Sequence, residues 1–291
     1  MTASTPAVAR PLRPSSAKRN LALVALALLV GWTVVALDYD PARILAMPGG
    51  VVRVFNEMYL VKGPDWSYLP NALGAMVESL EMAWIGTVIG AVVSLPLGFF
   101  GAKNVSSGLV ANVMRQILNG IRAFPELVLA VVIFIPIAGL GPVAGALAIG
   151  LHSVGTLGKL TAEVIEGIDP GPIEAARAAG AGPLQVQRWG VLPQVLPEII
   201  AFWLYRFEIN IRASAVLGVV GAGGIGFLVQ QTIAFHRFPL TGTAVLVVIV
   251  VTIAVDTASG FVRRRIIEGA DARISGEVVE PDLLDVQANR A

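Results

Sequence analysis

The sequence contains no cysteine and only two histidines, and these absences exclude several kinds of site. Without cysteine the chain cannot form a disulfide framework, a cysteine-based zinc site or a thiol nucleophile. The histidines, His152 and His236, lie too far apart in the chain to pair as metal ligands at helical spacing. We therefore expect no metal site, and we expect His152 to be an interhelical histidine with satisfied hydrogen bonds.

Charged residues are also scarce. They make up 14% of the chain, whereas hydrophobic residues make up 55% and the mean hydropathy is +0.75. Soluble domains average about a quarter charged residues. The apolar residues occur in long runs, which indicates that they face lipid rather than one very large core.

The chain lacks the motifs of nucleotide hydrolysis and of hydrolases. A phosphate loop needs Gly-Lys followed by Ser or Thr, but the only Gly-Lys pair is followed by Leu160. Residues 221–226 match the dinucleotide fingerprint literally, yet they follow a membrane span instead of a strand. No Gly-x-Ser-x-Gly elbow is present. These absences favour a protein that is not an enzyme and does not hydrolyse ATP by itself.

Six stretches are long and apolar enough to cross a membrane as helices, which takes about 20 residues each. They are residues 20–38, 77–100, 112–138, 142–165, 192–218 and 241–262. The pattern predicts an all-α polytopic membrane protein with about six transmembrane helices. Pro142 and the Gly-Leu-Gly before it predict a tight turn between the third and fourth spans.

The first stretch follows a short tail, residues 1–19, that ends in two basic residues. It predicts an uncleaved span, and a secretory signal peptide is the alternative, although no small-x-small cleavage site follows. The outer segment 38–72 contains an apolar stretch, residues 51–60. This stretch either lies as a helix at the outer interface or belongs to an ordinary connection. Along the second span, small residues every four positions predict a ridge for close helix packing; they are Gly86, Gly90, Ser94 and Gly98.

The distribution of Lys and Arg predicts that both termini are cytoplasmic, because short loops rich in these residues stay inside. Basic residues precede the first span and follow the second, fourth and sixth; they are Arg10, Arg13, Lys18, Arg19, Lys103, Arg177, Arg188, Arg263, Arg264 and Arg265. The predicted organisation is a cytoplasmic tail at 1–19, a transmembrane domain at 20–265 with an inner loop at 167–193, and a cytoplasmic tail at 266–291.

The inner loop carries the start and stop signals of a short helix. Pro170 and Pro172 precede an Ala-rich stretch and Gly180 follows it, which predicts a helix at about 172–179. Gly180 can adopt the left-handed conformation that ends a helix and turns the chain. The small, smooth surface of such a helix could enter a groove on another protein.

The same loop resembles the EAA signature of ABC-importer permeases, E-A-A-x3-G-x9-I-x-L-P. The matching residues are Glu174, Ala175, Ala176, Gly180, Leu192 and Pro193. Gly190 departs from the pattern, which has Ile at that position. The resemblance implies a coupling helix that docks on a separate cytoplasmic ATPase. That subunit would bind ATP and Mg, whereas this chain would bind no cofactor.

The likeness extends over about residues 75–265, and three stretches resemble phosphonate-importer permeases: 121–128, 206–212 and 218–226. Methionine and betaine permeases share the broader plan, but the charged run in the fifth span favours the phosphonate group. The resemblance implies the permease of an ATP-driven importer for phosphonate or a related phosphorus oxyanion. A permease for another small solute is one alternative. An ion-coupled secondary transporter is another, but it would need broken helices in an inverted repeat.

The fifth span carries a run of closely spaced polar residues, namely Arg206, Glu208, Asn210 and Arg212. A charge at the centre of a membrane helix costs about 2.5–3.5 kcal/mol on insertion scales, so these side chains should face protein or water. Their spacing allows one pair between Glu208 and Arg212 and another between Arg206 and Asn210. Either Arg206 or Arg212 lines the translocation path and compensates an oxyanion, or the four residues only tie helices together.

The resemblance also implies an assembly. The chain holds one copy of the coupling loop and ABC importers need two, so we expect a homodimer with the path at its interface, or pairing with a second permease. A binding protein would dock outside a bacterial inner membrane, and ATPase closure would drive alternating access. A glycine-rich segment would form a flexible turn at the outer end of the path, or simply a reversal between spans; its residues are Gly221, Gly223, Gly224 and Gly226.

Overall fold

The computed structural model describes residues 16–36 and 41–274, which form helices and contain no strand. The helices are α1 (Ser16–Ala36), α2 (Pro41–Asn56), α3 (Leu69–Gly101), α4 (Gly108–Ala123), α5 (Glu126–Ala138), α6 (Pro142–Glu166), α7 (Gly171–Ala178), α8 (Pro183–Ala222), α9 (Gly224–Ala234) and α10 (Phe238–Ile274). This architecture confirms the predicted all-α class.

The chain divides into two compact units, residues 1–55 and 56–291. In the first unit α1 has 21 residues, and its apolar part runs from Arg19 to Thr33. The apolar stretch at residues 51–60 is helical. Its first residues belong to α2, and the rest belong to a π-helical turn at Glu57–Val61 in the second unit.

Parts of both predicted tails lie outside the described residues. At the carboxyl end α10 continues past residue 265 to Ile274.

Three helices are long and apolar enough to cross a membrane without a break: α3, α6 and the Phe238–Ile267 part of α10. Two more spans arise if each of two bent pairs counts as one, namely α4 with α5 and α8 with α9. The described part of the chain therefore holds up to five such spans. The apolar part of α1, which corresponds to the first predicted stretch, is shorter than 18 residues.

Two predicted spans differ from the structure. The third, expected to be continuous over 112–138, bends by 77° between α4 and α5. The bend follows from Pro125, which has no N–H and disfavours helical conformation at the residue before it; Phe124 is accordingly extended. The fifth, expected over 192–218, begins nine residues earlier at Pro183 and bends by 57° into α9, a helix that the sequence pattern did not indicate.

The outer glycine segment forms the bend between α8 and α9. Gly221, Gly223 and Gly224 have φ values of +96°, +83° and +65°, which only glycine adopts without strain. The Ile225 N–H donates a hydrogen bond to Ser79 Oγ of α3 at 2.9 Å, so the turn is packed against α3. The segment is therefore more than a reversal between spans, because it leads into α9.

The predicted ridge of small residues on the second span is confirmed, because it packs face to face with α6. A Cβ atom at Gly86 would lie 2.6 Å from Ile149 Cγ2, and one at Gly90 would lie 2.5 Å from Ser153 Cβ. Both distances are too short for any side chain. The two helices approach so closely that polar atoms on α6 come within reach of α3 and of the charged residues of α8.

The carboxyl ends of α3 and α6 are joined to α4 through one carboxylate. Glu166 Oε1 accepts a hydrogen bond from the Lys103 N–H at 2.7 Å and lies 2.5 Å from Arg115 Nη2. Arg115 Nε also donates to the Gly101 carbonyl at 2.8 Å. This network fixes the carboxyl end of α6, from which the loop to α7 starts.

Candidate functional site

The predicted loop helix is α7, and it lies within one residue of the expected bounds. Asp169 Oδ1 accepts a hydrogen bond from the Gly171 N–H at 2.9 Å, which fixes the start of the helix. Gly180 has φ +80°, its N–H donates to the Arg177 carbonyl at 2.9 Å, and the Ala181 N–H donates to the Ala176 carbonyl at 3.0 Å. These two bonds are the Schellman pattern that ends a helix, so Gly180 has the stop role that its position predicted.

One side of α7 faces outward and the other packs on α8. Glu174 and Ala175 are exposed and Ala176 is partly buried. On the side of α7 that packs on α8, Ile173 contacts Gly190. A Cβ atom at Gly190 would lie 3.2 Å from Ile173 Cα. The departure from the EAA pattern at Gly190 therefore has a structural explanation, since the buried glycine lets α8 approach the backbone of α7 directly.

Gln194 ties the start of the loop to α8, and sequence reasoning missed it. Its Nε2 donates to the Gly190 carbonyl at 2.6 Å and to the Asp169 carbonyl at 3.2 Å. Its Oε1 accepts from the Asp169 N–H at 3.2 Å. No spacing or composition signal marks a lone glutamine, so only the folded loop identifies it.

The EAA residues that follow the loop begin the straight part of α8. Leu192 is partly buried and Pro193 is exposed at the first turn of the α-helical segment Leu192–Leu217. Leu192 packs with Ile173 against a buried cluster from α6 and α8 that includes Ile165 and Val195. The cluster joins α7 to α6 and α8 by close packing.

The predicted pair between Glu208 and Arg212 is wrong. Glu208 is 6% exposed, and its Oε1 pairs with Arg263 Nη2 of α10. The Arg263 guanidinium also lies 5.6 Å from the centre of the Tyr205 ring. Helix α10 packs along the buried side of α8 and supplies the counterion, whereas Arg212 lies on the exposed side. Arg263, which the sequence places after the sixth span, neutralises a buried acid.

The predicted pair between Arg206 and Asn210 is also wrong, although both residues meet at one hydroxyl. Arg206 Nε donates to Ser153 Oγ at 2.9 Å, and Asn210 Nδ2 donates to the same oxygen at 3.2 Å. Asn210 Nδ2 also donates to Thr87 Oγ1 of α3 at 2.9 Å. Arg206 is 6% exposed and Asn210 is fully buried, so this network joins α3, α6 and α8.

His152 on α6 has an interhelical location, since its neighbours Arg206 and Glu126 lie on α8 and α5. Arg206 Nη2 lies 2.6 Å from His152 Nδ1, and Glu126 Oε2 lies 3.3 Å from the same nitrogen. The guanidinium can donate to Nδ1 only when that nitrogen has a free lone pair, whereas the carboxylate can accept from Nδ1 only when it carries a proton. The two hydrogen bonds are therefore alternatives. Glu126 follows the bend in the third span and supplies the acid nearest to Arg206. Sequence reasoning did not place it there.

Arg212 is exposed, and within residues 16–36 and 41–274 it has no hydrogen-bond or ion-pair partner. Of the four residues singled out in the fifth span, three are therefore buried inside the subunit and one faces outward. The predicted site residues thus include the exposed positions Glu174 and Ala175 on α7 and the exposed Arg212 on α8.

Comparisons with known proteins agree with this geometry. Residues 94–268 match the family model described as binding-protein-dependent transport system inner membrane component. The phosphite transport system permease protein PtxC of Stutzerimonas stutzeri is 43% identical over 202 residues, which cover 69% of this chain and 73% of that one. The phosphate-import permease protein PhnE of Mycolicibacterium smegmatis is 37% identical over 90% of this chain, which spans 49% of the length of that relative.

A solved structure shares the fold. A chain of the MetNI methionine ABC transporter in an inward-facing conformation superposes with a TM-score of 0.61 at 23% identity, covering 69% of this chain and 99% of that one. The packed helices, the inner loop helix and the family match lead to one conclusion. The chain belongs to the family of inner membrane components of binding-protein-dependent transport systems.

Proposed function

We propose that this chain is the membrane-spanning subunit of an ATP-driven importer for a phosphorus oxyanion: phosphonate, phosphite or phosphate. The observation that carries the proposal is the attachment of α7, whose outer side is exposed while its inner side packs on α8 through Ile173 and Gly190. A helix held in this way can receive a force from a partner and pass it to the spans.

The partner on the inner side is a cytoplasmic ATP-binding subunit, which supplies ATP and Mg. Glu174 and Ala175 form the exposed centre of the docking surface on α7. Small side chains there allow close approach of a groove on the ATPase, and Glu174 offers a carboxylate to basic groups at its rim. ATP-driven closure of the ATPase then pushes α7 and moves α6 and α8 together.

The complete transporter contains two membrane subunits, and we propose that both are copies of this chain. Each subunit contributes one coupling helix, and the path lies between the two copies. Both termini lie in the cytoplasm, and a substrate-binding protein delivers cargo to the opposite face. Alternating access follows when the paired spans open first to that face and then to the cytoplasm.

The class of cargo is supported by two of the relatives, whose names specify phosphite and phosphate. It is also supported by the exposed arginine within the fifth span, since a guanidinium matches the oxygens of a phosphorus oxyanion.

The test is uptake by cells that lack the gene and carry either the wild-type chain or a docking variant. Wild type should restore ATP-dependent uptake of at least one of phosphate, phosphite and methylphosphonate. Ala175→Trp places a large ring on the docking surface and should abolish uptake and co-purification of the ATPase. Val113→Trp, at an exposed position of α4, is the control and should retain both.

Two results would contradict the proposal. Uptake that persists without ATP would indicate an ion-coupled transporter. Uptake of methionine or a betaine in place of all three phosphorus compounds would identify a different cargo.

A further inference from the structure

Arg212 differs from Arg206 and Glu208 in having no hydrogen-bond or ion-pair partner within the described residues. Arg206 is held by Ser153 and His152, and Glu208 is paired with Arg263. Arg212 is exposed, and no carboxylate of the described ranges pairs with it.

The exposed face of α8 has a regular spacing. Exposed or partly buried residues recur along it at alternating intervals of four and three positions. They are Glu198, Phe202, Tyr205, Ile209, Arg212, Val216 and Val219. This interval of three and a half residues is typical of a narrow seam against another helix. Arg212 is the only cation of the seam, and its neighbours one turn away on either side, Ile209 and Val216, are apolar.

The depth of Arg212 makes lipid an unfavourable environment. It lies 20 residues beyond Leu192 and ten before Ala222, which places it about 30 Å and about 15 Å along the helix from those residues. A guanidinium at membrane depth is costly unless it meets water, protein or an anion. The seam therefore faces a water-filled path or a second subunit rather than acyl chains.

We propose that Arg212 is the cargo-binding cation of the path, and that Arg212 from each of two copies holds one oxyanion between them. This inference rests on the proposed function and specifies its site. Two guanidinium groups across a two-fold interface repel each other unless an anion lies between them. A phosphorus oxyanion offers oxygens to both forks, so each arginine donates paired hydrogen bonds. The arrangement favours anions over neutral or zwitterionic solutes of similar size.

The experiment uses the absence of native cysteine, which lets each variant carry a single thiol. In the complete transporter in proteoliposomes, Arg212→Cys should lower ATP-driven phosphate uptake at least about tenfold while the complex still assembles. Reaction with aminoethyl methanethiosulfonate, which restores a positive charge, should recover a large part of the uptake. The anionic sulfonatoethyl reagent should not.

The matched control is Ile211→Cys, at the neighbouring buried position. A flexible bifunctional thiol reagent should cross-link two copies through Arg212→Cys and should give no cross-link with Ile211→Cys. Direct oxidation is not used, because two side chains that hold an oxyanion between them keep their Cα atoms farther apart than the about 7 Å that a disulfide bridges. Equal recovery of Arg212→Cys uptake with both reagents, or unchanged uptake before any reagent, would overturn the role of the charge. Absence of the cross-link would overturn the two-copy site.

The outcome is separable from the proposed function. If the wild-type complex transports no phosphorus oxyanion, the proposed function itself fails. If wild type transports phosphate and Arg212→Cys does so equally well, only the Arg212 site fails.

Discussion

Gly190 of α8 packs directly on Ile173 of α7, at a distance that leaves no room for a Cβ atom without movement of the α7 backbone. This contact joins α7 to the fifth span at the one position where the chain departs from the EAA pattern. Several consequences can be measured, beginning with this contact.

Gly190→Ile, which restores the residue of the pattern, should separate α7 from α8 in this chain. Overpacking of a buried contact costs about 1–3 kcal/mol. We expect ATP hydrolysis to continue while the amount of phosphate transported per ATP falls. The control is Gly182→Ala in the same loop, where the nearest atom to a Cβ, Gln185 Oε1, is 3.8 Å away. An unchanged transport ratio in Gly190→Ile would show that the contact does not transmit force.

Gly180→Ala should destabilise the end of α7. The residue has φ +80°, and a left-handed conformation costs a residue with a Cβ atom about 1–2 kcal/mol. Gly180→Asn should be tolerated better, because asparagine adopts this conformation more readily. The measurement is co-purification of the ATPase with each variant. Equal loss in both would point to a side-chain clash with the partner rather than to backbone strain.

Gly90→Ala should weaken the packing of α3 on α6. The new methyl group would lie 2.5 Å from Ser153 Cβ, and the strain should lower the free energy of unfolding by about 1–3 kcal/mol. It should also disturb Ser153, which binds Arg206 and Asn210. Gly74→Ala, on the same helix with open space around the Cβ position, is the control. Thermal aggregation of the purified variants in detergent should occur at lower temperature for Gly90→Ala alone.

Glu208→Gln should destabilise the contact between α8 and α10 by about 3 kcal/mol, because it breaks a buried ion pair. We expect the lower end of the range for such pairs, since Arg263 is partly exposed. Arg263→Gln should have a similar effect, because it leaves a buried carboxylate unpaired. The double variant should lose less than the sum of the two, and Arg264→Gln should lose little. Additive losses in a double-mutant cycle, measured by thermal stability, would show that the two residues do not interact.

The features that the sequence predicted well depend on neighbouring residues along the chain. The bounds of α7 follow from Pro172 and Gly180, which act within one helical turn. The packing ridge on α3 follows from small residues at a fixed interval, since a smooth helix surface allows close approach whatever the partner. The membrane class follows from composition alone.

The features that it missed or misplaced depend on contacts between distant segments. The spacing along α8 predicts partners for Glu208 and Arg206 one turn away on the same helix. In the structure Glu208 pairs with Arg263 of α10 and Arg206 donates to Ser153 of α6, because these helices approach α8 closely. The apolar length of residues 112–138 favours a continuous span, whereas Pro125 bends the chain there in the structure.

The sequence by itself determined that this protein is a helical membrane permease with a short helix in the loop before the fifth span, because hydropathy, helix caps and motif spacing are local properties. Only the tertiary structure decided which of Arg206, Glu208 and Arg212 is exposed. Burial and pairing depend on how α3, α6 and α10 surround α8, and that arrangement leaves Arg212 exposed while it neutralises or encloses Arg206, Glu208 and Asn210.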